Sequence, residues 1–277
     1  MRSRMAIMSS VRNALPRDRV VLITGASSGI GRATALAFAK DGARVVVASR
    51  NRASLDALAK EIGDSALAVT CDVRKREEVR AAVETGVRKF GALHVAIANA
   101  GFGIYHSAAR MRDEDLEAVL RTNVYGAVYT IQEALPHLRK ARGQAIFITS
   151  VLGKAVTPGG ASYNMSKHAL TAYADTLRME EPKGGIDVIV VGPGQVATDF
   201  QKNAGNRFKD FLPARKNAGG WKPERVAKAI LAASKRRKRE VYLTFEGRAL
   251  LAIRPLLPGL ADRIVRKVSG PLHEENP

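Results

Sequence analysis

The chain has 277 residues, 46% of them hydrophobic, enough for one α/β domain with a substantial core. A lone cysteine, Cys71, excludes an internal disulfide, no His/Cys cluster has metal-ligand spacing, and no run reaches the ~18 apolar residues of a membrane span. The net charge of +19 points toward anions, but only 5% of residues are aromatic and no nucleic-acid-binding motif is present, so nucleic acid is not an expected partner.

Residues 1–18 carry Arg2, Arg4, Arg12 and Arg17 and lack the continuous apolar core of a signal peptide. They read as a basic, disordered leader; a transit-like role is the alternative. Val20–Thr24 is short, β-branched and apolar, the pattern of a buried parallel strand. Thr24-Gly25-Ala26-Ser27-Ser28-Gly29-Ile30-Gly31 follows, and a helical pattern runs through Ile30–Lys40. Strand, glycine turn and helix form the context that phosphate binding requires. Glycines admit the phosphate to the backbone, and the helix N-terminus supplies free N–H groups. The alternative is a glycine-rich turn that binds nothing.

The second strand, Arg44–Ser49, runs into Arg50-Asn51-Arg52. A site for NAD usually places an acid there, which bonds the ribose 2′-hydroxyl and repels a 2′-phosphate. Here Ser49 and Arg50 replace it. A hydroxyl and a guanidinium both suit phosphate, so the reading is NADP(H) in preference to NAD(H). Arg50 or Arg52 could instead cap the next helix or stand in solvent.

Further strands are expected at Ala66–Cys71, His94–Ala98, Gln144–Thr149, Asp187–Val191 and Glu240–Thr244. Helical patterns fill intervals between them, including Arg74–Phe90, Arg121–Arg139 and Ser162–Glu181. Such alternation predicts an α/β fold, a doubly wound parallel sheet of seven strands with helices on both faces. Ligands of such sheets bind beyond the carboxyl ends of strands, and Thr24, Asn99, Ser150 and Gly192 fall at or just after those ends.

Tyr163 and Lys167 lie four apart in the last of these helices, so they share a face. A nearby cation stabilises phenolate and makes Tyr163 a plausible acid/base group; an exposed helix face is the bland alternative. Between Thr198 and Pro223 the periodicity lapses into a polar, basic stretch rich in Gly and Asn, read as a lid over the substrate; an ordinary surface insertion is the alternative. Lys235-Arg236-Arg237-Lys238-Arg239 is the densest basic run. In the extension, 246–277, Leu260, Ile264 and Val268 recur at helical spacing opposite Arg263, Arg266 and Lys267. A basic amphipathic helix suits an anionic membrane surface. The rival is a helix packed on the domain or on a partner subunit.

In their order, these motifs resemble the short-chain dehydrogenase/reductase family from about Arg19 to Thr244. Thr24-Gly25-x-x-x-Gly29-x-Gly31 matches its cofactor turn, to which Ser27, Ser28 and Ile30 belong. Asp72 and Val73 follow the third strand, where the family binds adenine. Asn99-Ala100-Gly101 matches its Asn-Ala-Gly motif, with Ala98 where a second Asn is common. Asn123, Ser150, Tyr163 and Lys167 match its catalytic tetrad. Pro193-Gly194-Gln195-Val196-Ala197-Thr198 matches the segment beside the nicotinamide.

The resemblance implies a Rossmann fold over 19–245. It also implies hydride transfer between NADP(H) and an alcohol/carbonyl pair. Tyr163 would be the acid/base, and Lys167 would lower its pKa and bond the ribose. Ser150 would hold the substrate oxygen, and Asn123 a relay water. A homo-oligomer, dimer or tetramer, is implied as well. The apolar extension suggests a hydrophobic substrate and a cytoplasmic protein peripheral at the membrane surface. A cofactor-binding scaffold or membrane-surface protein without turnover is the competing reading; an intact tetrad argues against it.

Overall fold

The computed structural model describes residues 15–182, 185–198, 205–206 and 220–269. β1 (Val20–Thr24), β2 (Arg44–Ser49), β3 (Ala66–Thr70), β4 (Val95–Ala98), β6 (Gln144–Ile148), β7 (Asp187–Gly192) and β9 (Glu240–Tyr242) form one parallel sheet in the order β3-β2-β1-β4-β6-β7-β9. The seven expected strands are all present, with boundaries shifted by one or two residues. The order reverses between β1 and β4, which opens a crevice at their carboxyl ends.

Central strands are buried on both faces, as their unbroken apolar runs require. One face packs Leu22, Phe147, Ile131, Leu138 and Leu170. These come from the sheet, from α5 (Gly126–Ala141) and from α6 (Ala161–Glu180), beside α3 (Arg76–Phe90). The other packs Val21, Ile23, Phe38, Leu55, Ile146 and Ile230 against α1 (Gly29–Lys40), α2 (Arg52–Ile62) and α7 (Pro223–Lys235). Cys71 is buried, and burial pushes its thiol up to about 12. That environment makes it an inert core group.

Three departures from expectation bear on the site. The helix read as Arg121–Arg139 begins earlier. α4 (Asp113–Leu120) leads through a π-helical turn, Arg121–Tyr125, directly into α5. Asp113, Glu114 and Asp115 in its first turn complement the positive helix end. A two-stranded parallel ladder joins β5 (Ile104–Tyr105) to β8 (Gly205–Asn206), pieces too short to leave a periodic signal. The stretch read as a lid lies outside the described residues, except Gly205–Asn206 and 220–222. Its flanks are joined, since Trp221 N–H donates to Gln195 C=O at 3.0 Å and Ala197 N–H donates to Trp221 C=O at 3.0 Å.

Both ends of the chain are tied to the body where they are described. Leu15 packs on the core and Asp18 pairs with Arg44 at 2.8 Å, so the last four residues of the basic leader are anchored. The extension forms α8 (Phe245–Ile253) and α9 (Pro258–Ser269).

Candidate active site

Thr24 ends β1 and is buried. Its hydroxyl donates to Ile97 C=O at 3.3 Å and accepts from Asn99 N–H at 3.2 Å. Asn99 Nδ2 donates to Thr24 C=O at 2.9 Å and Gly25 C=O at 3.2 Å. β4 is thereby stitched to the glycine turn, and both sides of the switch point become one rigid unit. The glycines are needed sterically. Gly25 sits at φ +66°, and a Cβ there would meet Ala100 Cα at 2.8 Å. A Cβ on Gly31 would strike Gly25 C=O at 2.2 Å. The Ser28 N-cap makes no side-chain hydrogen bond and no acid occupies the first turn of α1, so its N-terminal N–H groups remain open to an anion.

At the far end of this turn lie Ser49, Arg50 and Asp72. Asn51 Oδ1 accepts from Ser54 N–H at 3.0 Å and so caps α2, while Arg52 pairs with Asp56 at 2.8 Å. That leaves Arg50 exposed at the cleft wall, in no salt bridge among the described residues but close enough to Asp72 to help lower its pKa. Ser49 Oγ accepts from Asn51 N–H at 3.3 Å. Arg74, read from the sequence only as the start of a helix, grips both Asp72 oxygens, with Nη2 2.5 Å from Oδ2. These bonds hold the Asp72 carboxyl below its usual range.

The chemical end is built on α6 and the loop after β6. Lys167 Nζ donates to Ile148 C=O at 3.0 Å and stands 5.6 Å from the Tyr163 ring centroid. Ser150 Oγ accepts from Leu152 N–H at 3.1 Å, donates to Pro193 C=O at 3.4 Å and is hydrogen-bonded to Tyr163. Both members of the Tyr-Lys pair are deeply buried. Burial pushes Tyr163 well above the usual phenol range, Tyr105 adds to this, and the Ser150 bond opposes it. Burial also pulls Lys167 down to about 8. Burial sets the direction of the Tyr163 shift, and Lys167, expected to lower it, is itself drawn toward its neutral amine by the same burial.

Asn123 does not line the cleft. It is fully buried in the π-helical turn. Nδ2 donates to Phe102 C=O at 2.8 Å and Ser166 Oγ at 3.0 Å, and Oδ1 accepts from Phe102 N–H at 2.9 Å. With both amide hydrogens committed, the side chain positions α6 against the loop after β4.

A single cleft of about 1310 Å³ brings together the other expected residues. Gly25, Ser27, Ser28, Gly29, Ile30 and Gly31 line it at the glycine turn, and Ser49, Arg50, Asp72 and Val73 at the end beside β2 and β3. Asn99, Ala100, Gly101, Pro193, Gly194, Val196 and Thr198 line its middle, and Ser150, Tyr163 and Lys167 its chemical end. Thr24 and Asn123 support the walls from behind. The volume exceeds the roughly 300–1,000 Å³ of an ordinary ligand pocket, leaving room for a dinucleotide and a second molecule.

Sequence reasoning missed three parts of this wall: Arg74, Tyr105 and the end of α9. Ser162 Oγ donates to Ile104 C=O at 3.1 Å and His106 N–H to Gly159 C=O at 2.9 Å, so β5 is fixed to the start of α6. Tyr105 thereby faces the cleft near Tyr163, and its hydroxyl makes no hydrogen bond among the described residues. Thr157 and Ser269 share a hydrogen bond of 3.0 Å, which brings Val268 and Ser269 to the cleft mouth. The short distance from Gly101 to Tyr105 was the one available hint for the former. Nothing local signalled the latter.

A doubly wound sheet with a glycine turn at its switch point and a Ser-Tyr-Lys cluster beside it defines an oxidoreductase that uses a nicotinamide dinucleotide. The short chain dehydrogenase family model matches residues 19–208, and the chain belongs to that family. It is 34% identical over 270 residues to the uncharacterized oxidoreductase YxnA of Bacillus subtilis, covering 95% of this chain and 76% of that protein. Its fold matches 3-ketoacyl-(acyl-carrier-protein) reductase from Brucella melitensis, solved with NADH, at TM-score 0.73 and 29% identity over 81% of this chain and 96% of that one. It also matches an alcohol dehydrogenase from Thermococcus sibiricus, solved with 5-hydroxy-NADP, at TM-score 0.72 and 28% identity over 81% and 95% of the two chains.

Proposed function

We propose that this chain interconverts a carbonyl compound and its alcohol with NADP(H), using Tyr163 as the acid/base. The observation that carries the reading is the shared cleft. Ser150, hydrogen-bonded Tyr163 and Lys167 stand on the same wall as the glycine turn. The glycine cradle fits a pyrophosphate, since a Cβ at Gly25 or Gly31 would close it. The N–H groups at the start of α1 would hold that pyrophosphate, Ser49 and Arg50 a 2′-phosphate, and Lys167 the nicotinamide ribose.

When bound, NADPH supplies the hydride. The chain supplies the proton and the electrostatics. Because burial keeps Tyr163 protonated, it is set to donate from its phenol oxygen as negative charge develops on the carbonyl oxygen. Ser150 Oγ donates to the same oxygen in the transition state. In the reverse direction, Tyr163 as phenolate accepts the alcohol proton, which requires Lys167 in its charged form beside it.

The 2′-phosphate preference rests on Arg50, which forms no salt bridge among the described residues and shares only a longer-range attraction with Asp72, and on the missing acid at position 49. The test is oxidation of NADPH and NADH by purified protein across a panel of carbonyl compounds, repeated with Tyr163→Phe. Turnover with NADPH, lost in Tyr163→Phe while NADPH affinity survives, is the expected result. Turnover of the variant at the wild-type rate would overturn the mechanism.

A further inference from the structure

Helix α9 presents three different faces, and only one of them is buried. Turning 100° per residue, Ala261, Val265 and Ser269 fall on one side. Ala261 is 1% exposed, and Ser269 bonds Thr157, so this side faces the body. Leu260, Ile264 and Val268 follow around the helix and stand exposed. Arg263, Arg266 and Lys267 complete the turn, also exposed. An apolar stripe that continues past the buried contact has more apolar surface than the fold covers.

The surplus is local. Among the described residues, six of the ten exposed large hydrophobic side chains lie between Phe245 and Val268, while the others are spread over more than fifty residues. A cluster of that kind marks an interaction surface. Its charge points to the partner: five basic residues against two acidic ones lie between Phe245 and Ser269, in a chain of net charge +19. Such a surface repels a second copy of itself and attracts an anionic one. Its position adds a third argument, since Val268 and Ser269 line the cleft mouth.

We propose that the α8–α9 hairpin docks on an anionic lipid surface, with Leu256, Leu260 and Ile264 entering the headgroup boundary and Arg263, Arg266 and Lys267 contacting lipid phosphates. Docked in this way, the cleft opens beside the lipid, and an apolar carbonyl substrate passes into it without crossing water. This second half rests on the proposed oxidoreductase function; the docking itself does not. No helix among the described residues is long and apolar enough to cross a membrane, so the contact is peripheral.

The test is co-sedimentation of the full chain with phosphatidylcholine vesicles, with and without phosphatidylserine, at low and high salt. Two triple variants are compared, Leu256→Ser/Leu260→Ser/Ile264→Ser and Arg263→Gln/Arg266→Gln/Lys267→Gln. A third, Arg236→Gln/Lys238→Gln, controls for basic charge elsewhere. Wild type is expected to pellet only with the anionic vesicles and to be released by salt. Each hairpin variant should lose binding by at least about tenfold, and the control should keep it. Equal loss in the control, unchanged binding of either hairpin variant, or absence of wild type from the pellets overturns the proposal. So does a wild-type dimer that the serine variant converts to monomer, which assigns the patch to a second copy. Turnover of a water-soluble ketone is measured in parallel, so failure of the oxidoreductase reading leaves the vesicle result standing.

Discussion

Asn123 Nδ2 lies 3.0 Å from Ser166 Oγ, joining the π-helical turn of one helix to the second turn of the helix that carries Tyr163 and Lys167. Ser166 Oγ in turn donates to Tyr163 C=O at 2.8 Å. The turn bulges the helix where its neighbour must be held, a common use of π geometry at functional sites. The Asn123 side chain thus sets the height of Tyr163 against the loop after β4.

Asn123→Ala removes a partner from Phe102 N–H, Phe102 C=O and Ser166 Oγ at once. Buried groups left without partners cost about 1–3 kcal/mol each, partly relieved by relaxation. A stability loss of about 3 kcal/mol is expected by denaturant titration, together with a drop in turnover. Full stability in the variant would show that these bonds are replaceable.

Arg50→Ala should weaken NADPH binding by one to two decades and leave NADH binding nearly unchanged. A charge-assisted bond contributes about 1.5–3 kcal/mol, and only NADPH carries the 2′-phosphate to receive it. Calorimetric titration with both cofactors decides this. Equal weakening of the two would remove Arg50 from the 2′-phosphate site.

The sheet and most of the cleft were legible because their signals are local. Apolar β-branched runs such as Val45-Val46-Val47 suit central strands, and Gly25 to Gly31 spell out a turn whose backbone stays bare. What was not legible depends on tertiary contact. Asn123 matches a motif, but that its amide faces Phe102 and Ser166 follows from a π turn with no sequence signature. The direction of the Tyr163 shift depends on how much water the fold excludes. The i,i+4 spacing shows the cation and hides the burial. Tyr105 and Ser269 reach the cleft through a two-residue strand and a contact 112 residues long, and neither leaves a periodicity.

Tyr105→Phe tests the part of the wall that sequence missed. Its hydroxyl is unengaged among the described residues and faces the chemical end of the cleft. A substrate with a second oxygen near the reacting carbonyl can accept from it. The variant should raise KM for a 1,3-dicarbonyl substrate about tenfold, the value of one ordinary hydrogen bond, and barely change it for a simple ketone. Parallel steady-state kinetics on the two substrates give the answer. Equal changes for both would mean that Tyr105 only shapes the pocket.

Lys167 is held at a cost in stability, and the cost should depend on pH. Its pKa falls from 10.5 in an exposed state to about 8 in the folded chain, because burial disfavours the ammonium. Between those values the unfolded chain binds more protons than the folded one, so stability from this group rises with pH. Below about 8 the ammonium is charged in both states, and the full penalty applies, on the order of 3 kcal/mol. Above 10.5 both states are neutral and the penalty is gone. Lys167→Met deletes the buried charge and leaves Ile148 C=O without its donor, which returns part of the gain. The variant should therefore be inactive, yet more stable than wild type by about 1–2 kcal/mol at pH 7. The advantage should shrink steadily as the pH rises from 8 toward 10.5, where the neutral amine costs little to bury. Denaturant titrations of both proteins across that range measure it. A pH-independent difference would mean that Lys167 keeps its full charge in the folded cleft, sheltered by contacts stronger than the bond to Ile148.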